Sequence, residues 1–130
     1  MTETTRAIRV HEYGGPDVLQ MDEIPLAAPG PGEVRLRHTA IGVNYADIHT
    51  RNGRYPLPHL PSCLGSEGAG VVNAVGEGVD FVSVGDRVTY SSGGHALPRG
   101  SYCEARTMTA DRLIVLPDNI DDATAAARTT

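Results

Sequence analysis

Between Asn44 and Tyr55 the run NYADIHTRNGRY brings together an amide, two phenols, a carboxylate and a guanidinium, on Asn44, Tyr45, Asp47, Arg51 and Tyr55. An amide can anchor a neutral carbonyl or carboxamide, and a phenol can stack on a ring and donate a proton. Each residue also has a purely structural use. Asn44 can cap a helix. Asp47 and Arg51 stand four apart, the spacing of a helix-surface ion pair, and Tyr55 before Pro56 suits loop packing.

Other groups offer less. The two cysteines, Cys63 and Cys103, are too few for a disulfide framework or a four-thiolate zinc site, and are expected to be small core residues in a reducing compartment. His11, His38, His49, His59 and His95 show neither metal-ligand spacing nor an HExxH pattern, so surface or loop positions are expected for them. Gly65, Gly68 and Gly70 read GxxGxG, not the GxGxxG of a dinucleotide turn, and no strand, turn and helix surround them in the required order.

The elements that must position these groups are short. Arg6 to Val10 alternates, Gly14-Gly15-Pro16 marks a turn, and Val18 to Leu26 reads as the second strand of a hairpin. Glu33 to Val43 is the clearest strand, with Val34, Leu36, His38 and Ala40 on one face. Asn44 opens a short helix that Gly53 stops, and a Pro-rich loop runs from Tyr55 to Pro61. Further strands are predicted through Gly68 to Val75, Arg87 to Tyr90, Ser101 to Thr109 and Leu113 to Leu116, with Ser91 to Gly100 as an exposed loop. Asp121 and Asp122 then start an Ala-rich helix, acidic residues being favourable at its N-terminal end.

Bulk properties agree with one small β domain. The 130 residues suffice for a single core, and 15 glycines and 9 prolines leave little room for long helices. A net charge of −5 without a Lys/Arg cluster argues against nucleic acid and acidic membrane surfaces, leaving small molecules as the expected partners. No apolar run approaches the roughly 20 residues of a membrane span, and MTETTRAIRV lacks a signal-peptide apolar segment, so a cytoplasmic protein is expected. Many short strands with glycine at corners predict a mainly β, partly open barrel.

The stretch GSEGAGVVNAVGEGVDFVSVGDRV, Gly65 to Val88, is preceded by AIGVNYADIHTRNGRYP and followed by GSYCEARTM. With YGGPDVL and LPDNI near the two ends, these motifs resemble the GroES-like domain of medium-chain dehydrogenases and reductases, in particular the zinc-independent NADPH:quinone oxidoreductases related to zeta-crystallin. The resemblance covers essentially the whole chain. It implies a GroES-like catalytic, substrate-side domain over residues 1–120, with residues 121–130 starting the helix that leads to a nucleotide-binding Rossmann domain absent from this chain. Zinc enzymes of the superfamily carry Cys where this sequence has Asn44 and His where it has Ser66, and neither replacement is a zinc ligand of comparable strength. The four-cysteine structural lobe has no counterpart between Gly85 and Gly100.

The resemblance further implies hydride transfer from NADPH to a quinone or other conjugated carbonyl, with Asn44 and Tyr55 facing nicotinamide and acceptor. Tyr45, Asp47 and Arg51 are implied as weaker contributors to the cofactor cleft. Glu67, next to the lost zinc-ligand position, is expected to be a buried structural carboxylate. NADPH rather than NADH, and a homodimeric complete protein, rest on the resemblance alone. The chain by itself is expected to bind cofactor weakly and turn over little. An enoyl-thioester or alkenal reductase is the alternative activity, and a truncated, non-catalytic barrel the alternative without activity.

Overall fold

The structure, a computed structural model, describes residues 3–91 and 100–127. Strand β1 (Glu3–Val10) and strand β2 (Leu19–Leu26) form the expected antiparallel hairpin, with Val10 opposite Leu19 and Glu3 opposite Leu26. Pro25 lies in β2, which is an edge strand, where a residue without an N–H is tolerated. Strand β3 (Glu33–Ile41) follows, then helix α1 (Tyr45–Arg51), strand β4 (Ser62–Cys63) and the long strand β5 (Glu67–Val75). Strands β6 (Arg87–Ser91), β7 (Ala105–Thr109) and β8 (Ile114–Val115) complete the sheets, and helix α2 (Asp122–Ala127) ends the described chain.

Two antiparallel sheets result, one in the order β2-β1-β4 and the other β7-β3-β5-β6-β8. The irregular segment before β7 joins them. Ala7 bridges Cys103, the Ile8 N–H donates to the Tyr102 carbonyl at 2.8 Å, and the Glu104 carbonyl accepts from His38 N–H at 2.8 Å. The barrel is therefore partly open, as its composition predicts, and its seam runs through residues 102–104.

Alternation on β3 places Val34 and Leu36 in the core, where they pack with Val72, Val82, Val88, Tyr90, Met108 and Leu113. A second, smaller cluster of Ala69, Leu116, Ala125 and Ala126 seats α2 on the barrel. Asp121 caps α2 through the Thr124 N–H at 2.7 Å, and Arg87 ties it down through Asp122 at 2.7 Å. The glycines of β5 serve close approach and are not part of a phosphate loop. A Cβ on Gly70 would lie 2.3 Å from the Arg37 carbonyl oxygen, so only hydrogen fits between β5 and β3 at that point.

Four expectations need correction. The strand predicted from Ser101 begins at Ala105, because residues 101–104 leave the ladder to bridge β1. Ser62 and Cys63, directly after the predicted loop and assigned to no strand, form the short β4 on the edge of β1. His38 is not a surface histidine: it is partly buried on the inner face of β3, as the alternation of that strand implied. Ser91, predicted to open an exposed loop, instead ends β6 opposite Glu67, and residues 92–99 of that predicted loop, with His95, lie outside the described residues.

Candidate functional site

The site is built where β3 runs out. Asn44 has extended backbone angles, φ −132° and ψ 159°, and occupies the N-cap of α1. Its backbone N–H donates to Asp47 Oδ2 at 3.0 Å, and its side-chain nitrogen donates to Glu67 Oε1 at 3.0 Å. The capping position read for Asn44 is thus observed, and its side chain additionally reaches Glu67. Glu67 is 1% exposed and Asp47 4%, so two buried carboxylates from different elements hold Asn44, one at its backbone N–H and the other at its side-chain amide. Glu67 is buried, as expected.

Asp47 also accepts from the Tyr102 hydroxyl at 2.7 Å. Burial first, and then this contact with Asp47, hold the Tyr102 phenol in its neutral form well above the ordinary tyrosine range. The pairing of Asp47 with Arg51 suggested by their spacing is not what positions Arg51. Its Nε donates to the Gly14 carbonyl at 3.2 Å, and the Gly14 N–H returns a bond to the Arg51 carbonyl at 3.0 Å. The helix end and the hairpin turn are thereby clamped together.

Around Asn44 the side chains become apolar and open. Val43 is 76% exposed, Tyr45 83% and Tyr55 46%, with Ile41 and Ile48 also exposed. Tyr55 packs edge-on against His49, ring centroids 5.2 Å apart, and its N–H donates to the His49 carbonyl. Sequence reasoning passed over His49 because it sought metal-ligand spacing. The available signal was position, since His49 lies inside the Asn44 to Tyr55 run. Among the described residues its buried Nδ1 has no hydrogen-bond partner. The structure thus gathers Asn44, Tyr45, Asp47 and Arg51 on α1 and its cap, with Tyr55 folded back onto the helix.

Behind this surface, a cavity of about 580 Å³ opens between the hairpin and the end of β3, lined by Met21, His38, Ile41, Val43, Tyr102 and Cys103 among others. It borders the Asn44 cluster without containing it. On its wall, His38 Nδ1 meets the Cys103 carbonyl at 2.8 Å and Nε2 meets the Tyr90 hydroxyl at 2.7 Å. Burial drives His38 down to about 4, against the opposing pull of the Cys103 carbonyl. Burial also raises Tyr90 to about 12, although Arg106 lies over its ring and hydrogen-bonds its hydroxyl. Among the described residues, no three His, Cys, Asp or Glu side chains stand close enough to hold a metal ion.

Residues 30–118 match the alcohol dehydrogenase GroES-like domain. A quinone oxidoreductase of Pseudomonas aeruginosa is 49% identical over 122 residues, which cover 94% of this chain and 36% of that protein. A 2-haloacrylate reductase from a Burkholderia species is 41% identical over 118 residues, covering 86% of this chain and 33% of that protein. The crystal structure of Escherichia coli quinone oxidoreductase complexed with NADPH superposes with a TM-score of 0.86 at 42% identity, over 94% of this chain and 36% of that one. The chain therefore spans about a third of the length of these relatives. Matched motifs, an open two-sheet barrel and an N-capping Asn44 all agree, and the chain belongs to the alcohol dehydrogenase GroES-like domain family.

Proposed function

We propose that this domain forms the acceptor side of an NADPH-dependent quinone oxidoreductase that works without zinc. The observation that supports this most is Asn44: at the position where the zinc enzymes carry cysteine, an amide is held by the buried Glu67. Amide and hydroxyl donors at Asn44 and Ser66 are poor zinc ligands, and the pairing with Glu67 gives Asn44 a different task.

NADPH, when bound, supplies the hydride. This chain's residues orient and enclose. With its nitrogen committed to Glu67, the Asn44 amide keeps a carbonyl oxygen with two lone pairs, one of which can accept from a carboxamide N–H and help fix a nicotinamide face. Tyr45, Val43 and Tyr55 offer exposed apolar and aromatic surface on which a planar acceptor can stack. The Tyr55 hydroxyl can donate a proton as charge spreads into a conjugated acceptor, which needs no Lewis acid because its own ring and oxygens delocalise the added pair. Asp47 and Arg51 support the cleft by fixing Asn44 and the helix end. A nucleotide-binding domain supplies most cofactor contacts, so residues 1–130 alone bind NADPH weakly.

The test is kinetic, in a polypeptide joining this domain to a nucleotide-binding domain. Asn44→Ala is expected to lower kcat for NADPH-dependent quinone reduction by about 10- to 100-fold, at a stability cost of about 1–2 kcal/mol for the lost cap and the lost partner of Glu67, and Tyr55→Phe to lower kcat by less with thermal stability nearly kept. Unchanged turnover in both variants removes the two residues from the mechanism. The 2-haloacrylate reductase likeness supports a second acceptor class, activated alkenes, which the same delocalisation argument admits. Faster turnover of an α,β-unsaturated acid or thioester than of any quinone would favour it.

A further inference from the structure

The thiols have no part in the chemistry above, yet the fold places them together. Strand β1 has two edges, and β2 fills one, with Ala7 opposite Asp22 and Arg9 opposite Gln20. On the other edge Arg9 is opposite Cys63, and Ala7 is opposite Cys103. Cys63 and Cys103 are therefore neighbours along one strand edge, in register with residues two apart. Side chains alternate along a strand, so both project to the same face. Two residues of strand rise roughly 6.6–6.8 Å, at the upper end of the Cα separations of about 4.4–6.8 Å that disulfides span.

The local contacts close this distance further. Cys63 Sγ lies 3.3 Å from the carbonyl oxygen of Tyr102, the residue bonded to Cys103. The two side chains are close enough that each is the largest influence on the other's ionisation. That influence draws Cys63 below the ordinary thiol value and, together with burial, raises Cys103 above it. Access is asymmetric in the same sense: Cys63 is half-buried, whereas Cys103 is buried and forms part of the cavity wall. Cys103 Sγ is also 3.9 Å from His38 Nδ1.

We propose that Cys63 and Cys103 form a reversible oxidation site, a dithiol that closes to a disulfide on reaction with a hydroperoxide. The Cys63 thiolate attacks the peroxide oxygen, the O–O bond breaks, and water or an alcohol leaves with a proton, giving Cys63 sulfenic acid. The Cys103 sulfur then attacks the Cys63 sulfur, its thiol proton leaving with the displaced hydroxide as water. Two thiols lose two electrons, and the peroxide is reduced by two. The new bond ties β4 to the segment carrying Tyr102, whose hydroxyl rests on Asp47, so oxidation bears on the support of Asn44 without touching it.

The test treats the folded protein with hydrogen peroxide, blocks the remaining thiols with an alkylating reagent and maps the peptides by mass. The expected product is an intramolecular Cys63–Cys103 peptide pair that dithiothreitol releases, formed at least about tenfold faster than in urea-unfolded chain because the fold pre-positions the thiols. Cys103→Ser should stop at a Cys63 sulfenic acid trapped by dimedone, while Cys63→Ser should leave Cys103 reduced. Two freely alkylated thiols after peroxide treatment, sulfinic acid at Cys63 with Cys103 still reduced, or linkage only between chains would each overturn the proposal.

Discussion

Strands β3 and β5 have two unlike ends. At one, Val34 and Leu36 of β3 meet Val72 of β5 in a core of large apolar side chains with no exposed surface. At the other, the same strands carry His38, Ala40, Glu67, Gly68 and Ala69, and the buried groups are small or polar. The first end stabilises by removing apolar area from water. The second exchanges some of that for carboxylates and hydroxyls that must be satisfied one by one. Asn44 emerges at this second end, so one pair of strands supplies the anchor and the site at opposite ends.

The comparison can be broken first at its apolar end. Leu36→Ala is expected to cost about 2–5 kcal/mol by opening a cavity in the core. Denaturant unfolding would measure the loss, while NMR shifts of Asn44 and Tyr55 should change little. Large changes at those residues would show that the two ends are not separable.

The polar end should reveal itself through pH. His38 is held to about 4 when folded, below its ordinary value of 6.5, so between these values the unfolded chain binds the extra proton. The part of the stability linked to His38 is therefore expected to be present above pH 6.5 and to fall by about 3 kcal/mol as pH drops to 4. In His38→Gln the slope in this window should flatten, and an unchanged slope would move the titration elsewhere.

Smaller effects sharpen the picture. Asp47→Ala removes the acceptor for both the Asn44 N–H and the Tyr102 hydroxyl, and should destabilise by about 1–3 kcal/mol, with the tyrosine band of Tyr102 titrating at lower pH. Arg51→Ala removes the side-chain half of the clamp on Gly14, leaving the bond to the backbone carbonyl, at a cost of about 1 kcal/mol. Hydrogen exchange at the Gly14 amide should quicken without change at Leu36.

How much of this was legible in the sequence follows the same division. The apolar end announced itself by alternation in β3, and the Asn44 helix by its cap and the stop at Gly53, where φ is +88°. Glu67 was placed correctly as a buried carboxylate. The seam at residues 102–104 was not legible, because its backbone bonds to β1 and β3 are long-range and leave no periodic trace. For the same reason the neighbourhood of Cys63 and Cys103 could not be read from their separation in the chain. His38 was legible as to face but not as to partners, since Tyr90 and the Cys103 carbonyl reach it from other elements.

Pro25 has a consequence for how copies of this molecule meet. An eight-residue strand at the margin of a sheet, such as β2, is a template on which a second chain can add its own strand. Pro25 has no N–H to offer, and Asp22 and Glu23 put charge along the same strand. The hairpin can therefore close one side of the barrel while resisting edge-to-edge growth into fibres.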